Sequence, residues 1–257
     1  MPFPQALLQG GGRVAFWLLL PICAVQGLWL RRQALRLPPP PGDTHGQCGD
    51  GSPALTVLAA GDSIIAGIGA GHQLQALPAQ FARALSADRD CPVAWSSAGV
   101  NGADLNSLLS RLAEFDPKQA PDIVLLSIGV NDVTGLTSTR LWRQRLGLLF
   151  QIIRSKWPHA LLVFAGLPPM DKFPLPPQPL RMALGMRARV LDRIAATLLA
   201  SQHLMLHVAT EINPQEHGFC ADGFHPSGPS YAAWATGLVQ RLPGYNKAGT
   251  RQEGQQT

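Results

Sequence analysis

The sequence predicts a three-layer α/β/α sandwich built on a mostly parallel five-stranded sheet. Three observations predict it. Short, nearly continuous apolar runs alternate with longer amphipathic stretches, as expected for parallel strands buried on both faces and covered by helices. No heptad array and no repeat of about 20–50 residues competes with that reading. Apolar residues make up 46% of the 257 residues and charged residues 14%. A chain of this composition can bury a large core and is not disordered as a whole.

The strand runs are Leu55–Ala60, Pro92–Ser97, Asp122–Ile128, Ala160–Phe164 and Leu204–Ala209. Helical stretches fall between them. Ala76–Ala87 carries Pro78 near its start, and Leu105–Phe115 repeats Leu at helical spacing. Thr139–Trp157 sets Leu141, Leu148, Ile152 and Ile153 against Arg140, Arg143, Arg145 and Arg154, the two-sided pattern of a surface helix. Leu180–Leu199 is a further helix. Ser227–Leu242 opens with Pro229 in its first turn, where a missing N–H costs nothing. Right-handed crossovers then gather the C-terminal strand ends at one edge. Ligands bind at that edge in open α/β sheets.

These elements occupy 54–243, and three other segments surround them. Residues 1–36 contain Val14–Leu30, 17 residues without a charge, at the lower limit for a helix crossing a membrane. Trp17 and Trp29 stand near its ends and Arg31 and Arg32 follow it. The segment is expected to be an uncleaved membrane anchor. A cleaved signal peptide and an amphipathic or core helix are the alternatives, and Pro21, Gln26 and Gly27 weaken the run as a span. Residues 37–53, opening on four prolines, read as a linker, and 244–257 as a disordered tail. Arg31, Arg32 and Arg36 against Arg13 and the α-amino group place the catalytic domain on the cytoplasmic side of a bacterial inner membrane by the positive-inside rule. A periplasmic or secreted domain is the alternative.

The net charge is +5, but the excess collects near the N-terminus. Over Leu55–Pro243 there are 15 basic and 13 acidic residues, so no nucleic-acid partner is expected. Neither a metal nor another cofactor is expected. There is no CxxC, no P-loop and no GxGxxG, and His45, His72, His159, His203, His207 and His217 lack metal-ligand spacing. Cys23 lies in the apolar run, and Cys48, Cys91 and Cys220 are too scattered to suggest a disulfide framework. Cys220 reads as a partly buried free thiol.

Three motifs carry chemistry. Gly61-Asp62-Ser63 follows the first strand, which puts Ser63 at the sheet's ligand edge. Gly129-Val130-Asn131-Asp132 follows the third strand, and an Asn side chain there can donate to a developing oxyanion. Asp222-Gly223-Phe224-His225-Pro226 holds a carboxylate three residues before a histidine, close enough to orient the ring locally. Each motif alone is ordinary turn or cap chemistry. Together they supply a nucleophile, an oxyanion donor, an orienting acid and a base.

This combination resembles the SGNH hydrolases, or GDSL esterases and lipases, in the bacterial single-domain type with an N-terminal hydrophobic segment. Gly61-Asp62-Ser63-Ile64 is similar to the family's first block, with Ile64 for the usual Leu. Gly129-Val130-Asn131-Asp132 is similar to its Gly-x-Asn-Asp block, and Asp222 to His225 to its Asp-x-x-His block. The glycine block falls in Ser97–Asp104, where order matches the oxyanion glycine to Gly102, with Gly99 as the alternative and without the usual Gly-Asp-Thr ending. The resemblance covers about Leu55–Leu242. It implies an SGNH/flavodoxin-like fold and a serine hydrolase with Ser63, Asp222 and His225 as triad. It further implies an oxyanion hole from Ser63, Gly102 and Asn131. The expected substrate is a small-molecule or lipid ester, such as a lysophospholipid, or a thioester. Carbohydrate O-acetylesterase activity and a non-catalytic binding domain are the alternatives. The Pro-rich segment Leu167–Leu180, with Met170, Phe173 and Leu175, is expected either to bind an acyl chain or simply to pack.

Overall fold

The computed structural model describes residues 21–30, 37–115, 120–210 and 218–244. Residues 245–257 of the expected tail and most of the expected anchor, residues 1–20 and 31–36, lie outside the described residues. Residues 21–30 form a helix, α1. No helix among the described residues is long and apolar enough to cross a membrane.

The sheet has six strands, in the order β1-β3-β2-β4-β5-β6. They are β1 (His45–Cys48), β2 (Leu55–Gly61), β3 (Val93–Gly99), β4 (Ile123–Ser127), β5 (Leu161–Ala165) and β6 (Met205–Val208). Strands β2 to β6 pair in parallel and correspond to the five expected. The sixth, β1, is a correction. It lies within the expected linker and pairs antiparallel with β3, His45 opposite Ser96 and Cys48 opposite Val93. Four residues without apolar alternation carry no strand signal. What fixes β1 is the open edge of β3, which it covers. Gly46 helps, because the Trp95 indole lies 3.1 Å from where its Cβ would stand. The polyproline start is also anchored: the Gln73 N–H donates to the Pro41 carbonyl at 2.9 Å.

The helices are α2 (Leu77–Arg89), α3 (Leu105–Glu114), α4 (Val130–Thr134), α5 (Thr139–Lys156), α6 (Leu180–Leu199) and α7 (Gly228–Val239). Sequence marks several starts. The side chains of Asp104, Ser138 and Ser227 accept from the first turns of α3, α5 and α7, satisfying N–H groups that the helix itself cannot. Every residue of β4 and β5 is buried, because helices cover both faces. On one face Trp142, Leu108 and Leu191 belong to a core under α3, α5 and α6. On the other, Phe81, Tyr231 and Trp234 pack under α2 and α7. The Tyr231 hydroxyl donates to the Ile68 carbonyl at 2.7 Å, tying α7 to the turn after β2.

Strand β2 lies between β3 and β4. The chain therefore steps from β2 to one side and later returns to the other, leaving a crevice at their C-terminal ends. The loops after β2, β3 and β4 all open into it.

Candidate active site

Ser63 stands two residues beyond β2, with 6% of its surface exposed. The strand must press close to β4 there. A Cβ on Gly61 would sit 1.9 Å from the Ser127 carbonyl oxygen, so only glycine fits. The Asp62 N–H donates to Ser127 O at 3.1 Å, and the Ala66 and Ile68 N–H groups donate to the Asp62 and Ser63 carbonyls at 3.0 Å each. These bonds hold the serine on a closed turn.

His225 reaches Ser63 from a loop 162 residues later. Its Nε2 is 2.9 Å from Ser63 Oγ, and its Nδ1 is 2.6 Å from Asp222 Oδ2. The loop is built to present that pair. Asp222 Oδ1 accepts from the backbone N–H groups of Phe224 and His225 at 2.8 and 2.9 Å, and from the Cys220 thiol at 2.9 Å. The Cys220 N–H donates to the His225 carbonyl at 2.9 Å, closing the loop across its base. Burial alone would raise the Asp222 carboxyl. The bonds from His225 and Cys220, with the two backbone donors, outweigh it and hold Asp222 well below the usual carboxylate range. Burial and the bond to Asp222 push the Cys220 thiol up to about 11, which keeps it a donor.

The expected oxyanion donors gather beside this pair. Ser63, Gly102, Asn131, Asp222 and His225 all line one cavity. Gly102 adopts φ +79° in the turn after β3, with nothing within 4 Å of where a Cβ would stand. That conformation suits glycine and leaves its backbone open to the cleft. Its competitor, Gly99, is the last residue of β3 and does not line the cavity. A Cβ on Gly99 would sit 2.1 Å from the Ala66 nitrogen, so Gly99 serves close packing. Asn131 is on α4, directly after β4, and donates one amide N–H to the Ala103 carbonyl at 2.8 Å. That bond orients the amide and leaves its second N–H free to serve a ligand.

Two further carboxylates lie near the serine turn. Asp62 is fully buried; its Oδ1 accepts from the Ile64 N–H at 3.0 Å, while Oδ2 has no partner among the described residues. Burial pushes the Asp62 carboxyl up to about 7, with the Ile64 bond opposing and the Asp132 charge adding to the shift. Asp132 is raised by burial too, and restrained by bonds from the Leu105 N–H at 2.9 Å and the Thr137 hydroxyl at 2.9 Å.

The Pro-rich segment packs at one end and lines the cavity at the other. Met170 and Phe173 are buried in the core, and Phe173 meets Phe219 and Phe224 edge-on at 5.1 and 5.2 Å. Leu175 and Leu180 line the cavity, and the Leu175 N–H donates to the Gly223 carbonyl at 3.0 Å. His207 is engaged away from the site: its Nε2 is 2.8 Å from Asp192 Oδ1 and its ring stacks on Phe164. All four cysteines are free.

Sequence reasoning missed two contributors. The Cys220 bond to Asp222 had a signal, since a residue two before the acid on a tight loop falls within reach of it. The wall that α1 adds to the cavity had none beyond helical spacing.

A mostly parallel sheet with a serine, a histidine and an acid joined at its switch point defines a class, and comparison names it. The chain belongs to the GDSL-like lipase/acylhydrolase family, a family of carboxylic ester hydrolases. The family model matches residues 59–233, which include Ser63, Gly102, Asn131, Asp222 and His225. A GDSL-like esterase from Mycobacterium tuberculosis is 28% identical over 189 residues, covering 71% of this chain. The chain spans 60% of that relative's length. Among solved structures, a family two carbohydrate esterase from Clostridium thermocellum in complex with cellohexaose has TM-score 0.59 at 16% identity, covering 75% of this chain and 65% of that one. A lipase from a goat rumen metagenome has TM-score 0.58 at 16% identity, covering 73% and 97%. At these identities the likeness is one of fold.

Proposed function

We propose that the chain hydrolyses carboxylic esters of acyl lipids, such as lysophospholipids, with Ser63 as nucleophile. The observation that carries this is the relay in which His225 touches Ser63 Oγ at 2.9 Å and Asp222 at 2.6 Å. Ser63 Oγ attacks the ester carbonyl while His225 Nε2 takes its proton. The N–H groups of Ser63 and Gly102 and the Asn131 amide bind the oxyanion; one such donor is worth roughly 10²–10³ in rate. His225 passes the proton to the leaving alkoxide, and an acyl-serine remains. Water, deprotonated by His225, releases the acid and restores Ser63. Asp222 stays ionised throughout and holds the ring. A thioester would follow the same steps with a thiol as leaving group.

The test is labelling of Ser63 by a fluorophosphonate, with Ser63→Ala losing both the label and turnover while keeping its thermal transition. Turnover unchanged in Ser63→Ala would overturn the mechanism. Carbohydrate O-deacetylation is the second reading, favoured by the likeness in fold to a carbohydrate esterase. The leucines and methionines lining the cavity favour acyl lipid over it.

We also propose attachment to the inner membrane through the N-terminal segment, residues 1–36, with the domain in the cytoplasm. The arginine balance around Val14–Leu30 supports this. Alkaline phosphatase fused after Gly244 is then inactive; an active fusion reverses the orientation.

A further inference from the structure

Residues 21–30 wall the cleft that holds Ser63. On α1 the half-buried residues are Cys23, Gln26, Gly27 and Leu30. They recur at i, i+3, i+4 and i+7, so a single stripe of the helix faces the domain. Gln26 fastens that stripe. Its side-chain N–H donates to the Gln178 carbonyl at 2.7 Å, and its side-chain carbonyl accepts from the Leu180 N–H at 3.1 Å. Leu180 is the first residue of α6, where N–H groups lack partners within the helix. Gln26 thus caps α6, and two of the three residues that interrupt the apolar run have structural uses: Gln26 docks the helix and Gly27 keeps its face low.

The cavity is about 1560 Å³ and reaches from Ser63 and His225 to α1 and α6. That exceeds the roughly 300–1,000 Å³ of ordinary ligand pockets. An acetyl group would leave most of it unfilled. Leu28 and Leu30 of α1, Leu136 after α4, and Met182, Met186 and Val190 of α6 line it. Among the described residues, five of the exposed large hydrophobics, Leu28, Leu136, Met182, Met186 and Val190, line this cavity, while Ile22, Val25 and Trp29 of α1 do not. Apolar surface left open on this scale marks a site of contact with apolar matter. Because the same cavity is lined by Ser63 and His225, the occupant is the substrate's own chain.

We infer that α1 is the specificity wall of an acyl groove: the medium or long acyl chain of the ester lies between α1 and α6, and α1 sets the length accepted. The inference rests on the reading of Ser63 as an ester nucleophile. Each methylene buried in the groove multiplies kcat/KM by up to about fourfold. Met182 and Met186 suit such a chain, since unbranched thioether side chains adapt to varied apolar shapes.

Gly27 allows a direct test. A Cβ there meets nothing within 4 Å, so Gly27→Phe fits the helix and raises its propensity, while its ring fills the groove. The full-length chain is assayed on nitrophenyl acetate, octanoate and hexadecanoate, with thermal melts of each variant. The natural chain is expected to show kcat/KM rising from acetate to octanoate. Gly27→Phe lowers the octanoate-to-acetate ratio by about tenfold or more. Gln26→Ala, which frees α1 without filling the groove, raises the KM for long esters more than it lowers kcat. A profile flat or falling beyond acetate, with hydrolysis intact, overturns the groove. An unaltered profile in both folded variants overturns the role of α1. Absence of any Ser63-dependent ester hydrolysis overturns the underlying activity instead, so the failures are distinguishable. If Gly27→Phe fails to fold, Gln26→Ala still decides the role of α1.

Discussion

Asp222 and Asp62 are both nearly or fully buried within one step of Ser63, one through His225 and the other as its neighbour in sequence, yet their carboxyls are driven in opposite directions. Asp222 is met by two backbone N–H groups, a thiol and an imidazole. Asp62 is met by one backbone N–H, and its second oxygen has no partner among the described residues. Burial raises both. Donor number decides the outcome: four bonds keep Asp222 charged, and one leaves Asp62 at about 7. A relay acid must be ionised to stabilise an imidazolium. A buried acid under a turn has no such requirement and can remain protonated.

Substitution separates the two most sharply. Asp222→Asn is expected to lower kcat by about 10⁴, because an amide no longer fixes the ring tautomer. Asp62→Asn keeps the acceptor for the Ile64 N–H, and its kcat should stay within about tenfold of the natural chain. Equal losses in steady-state assays would break the comparison.

The pH dependence of stability comes next. The folded value of Asp62 is raised, so its contribution is complete below the unfolded carboxylate value and is lost as pH rises through about 7. The folded value of Asp222 is lowered, so its contribution is present above the unfolded value and is lost as pH falls through the folded one. Urea denaturation between pH 4 and 8 should therefore show Asp62→Asn gaining on the natural chain as pH rises, by on the order of a few kcal/mol. Asp222→Asn should show a deficit that stays constant over this range and shrinks only below about pH 4. A pH-independent difference for Asp62→Asn would mean that Asp62 is ionised throughout.

Cys220 provides a smaller test of the donor argument. Cys220→Ala removes one of four donors to Asp222 and is expected to cost roughly 1–3 kcal/mol or less of stability and less than about tenfold in kcat. Cys220→Ser, which keeps a donor, should recover most of both. The smallest expected effect is chemical. With its thiol held up to about 11, Cys220 should react slowly with iodoacetamide at pH 8 and faster as pH approaches that value. Rapid alkylation at pH 8, read by mass spectrometry, would show that the bond to Asp222 is not kept.

Much of this site was legible because its chemistry is local. Asp222 reaches His225 across three residues on one loop, and Ser63 and Asn131 each follow a strand run that sequence marks clearly. Strand alternation then predicted that these loops share an edge. Gly102 and Gly99 could not be separated by order, since both lie in the same short stretch. The packing separates them: a Cβ on Gly99 collides with the Ala66 backbone, whereas Gly102 faces open space.

By itself, then, the sequence determined the alternation of β2 to β6 with their helices, the caps at Asp104, Ser138 and Ser227, and which residues meet at the candidate site. All depend on apolar period or on contacts a few residues apart, which a linear reading can see. Tertiary structure decided the rest. Strand β1 exists because β3 has an edge to cover. Helix α1 lies where it does because Gln26 finds the open N-terminus of α6, 154 residues away. The opposite states of Asp62 and Asp222 follow from how many donors converge on each carboxylate. An unfilled edge, a distant helix end and a count of donors come into being only when the chain has closed on itself, so no local pattern of residues encodes them.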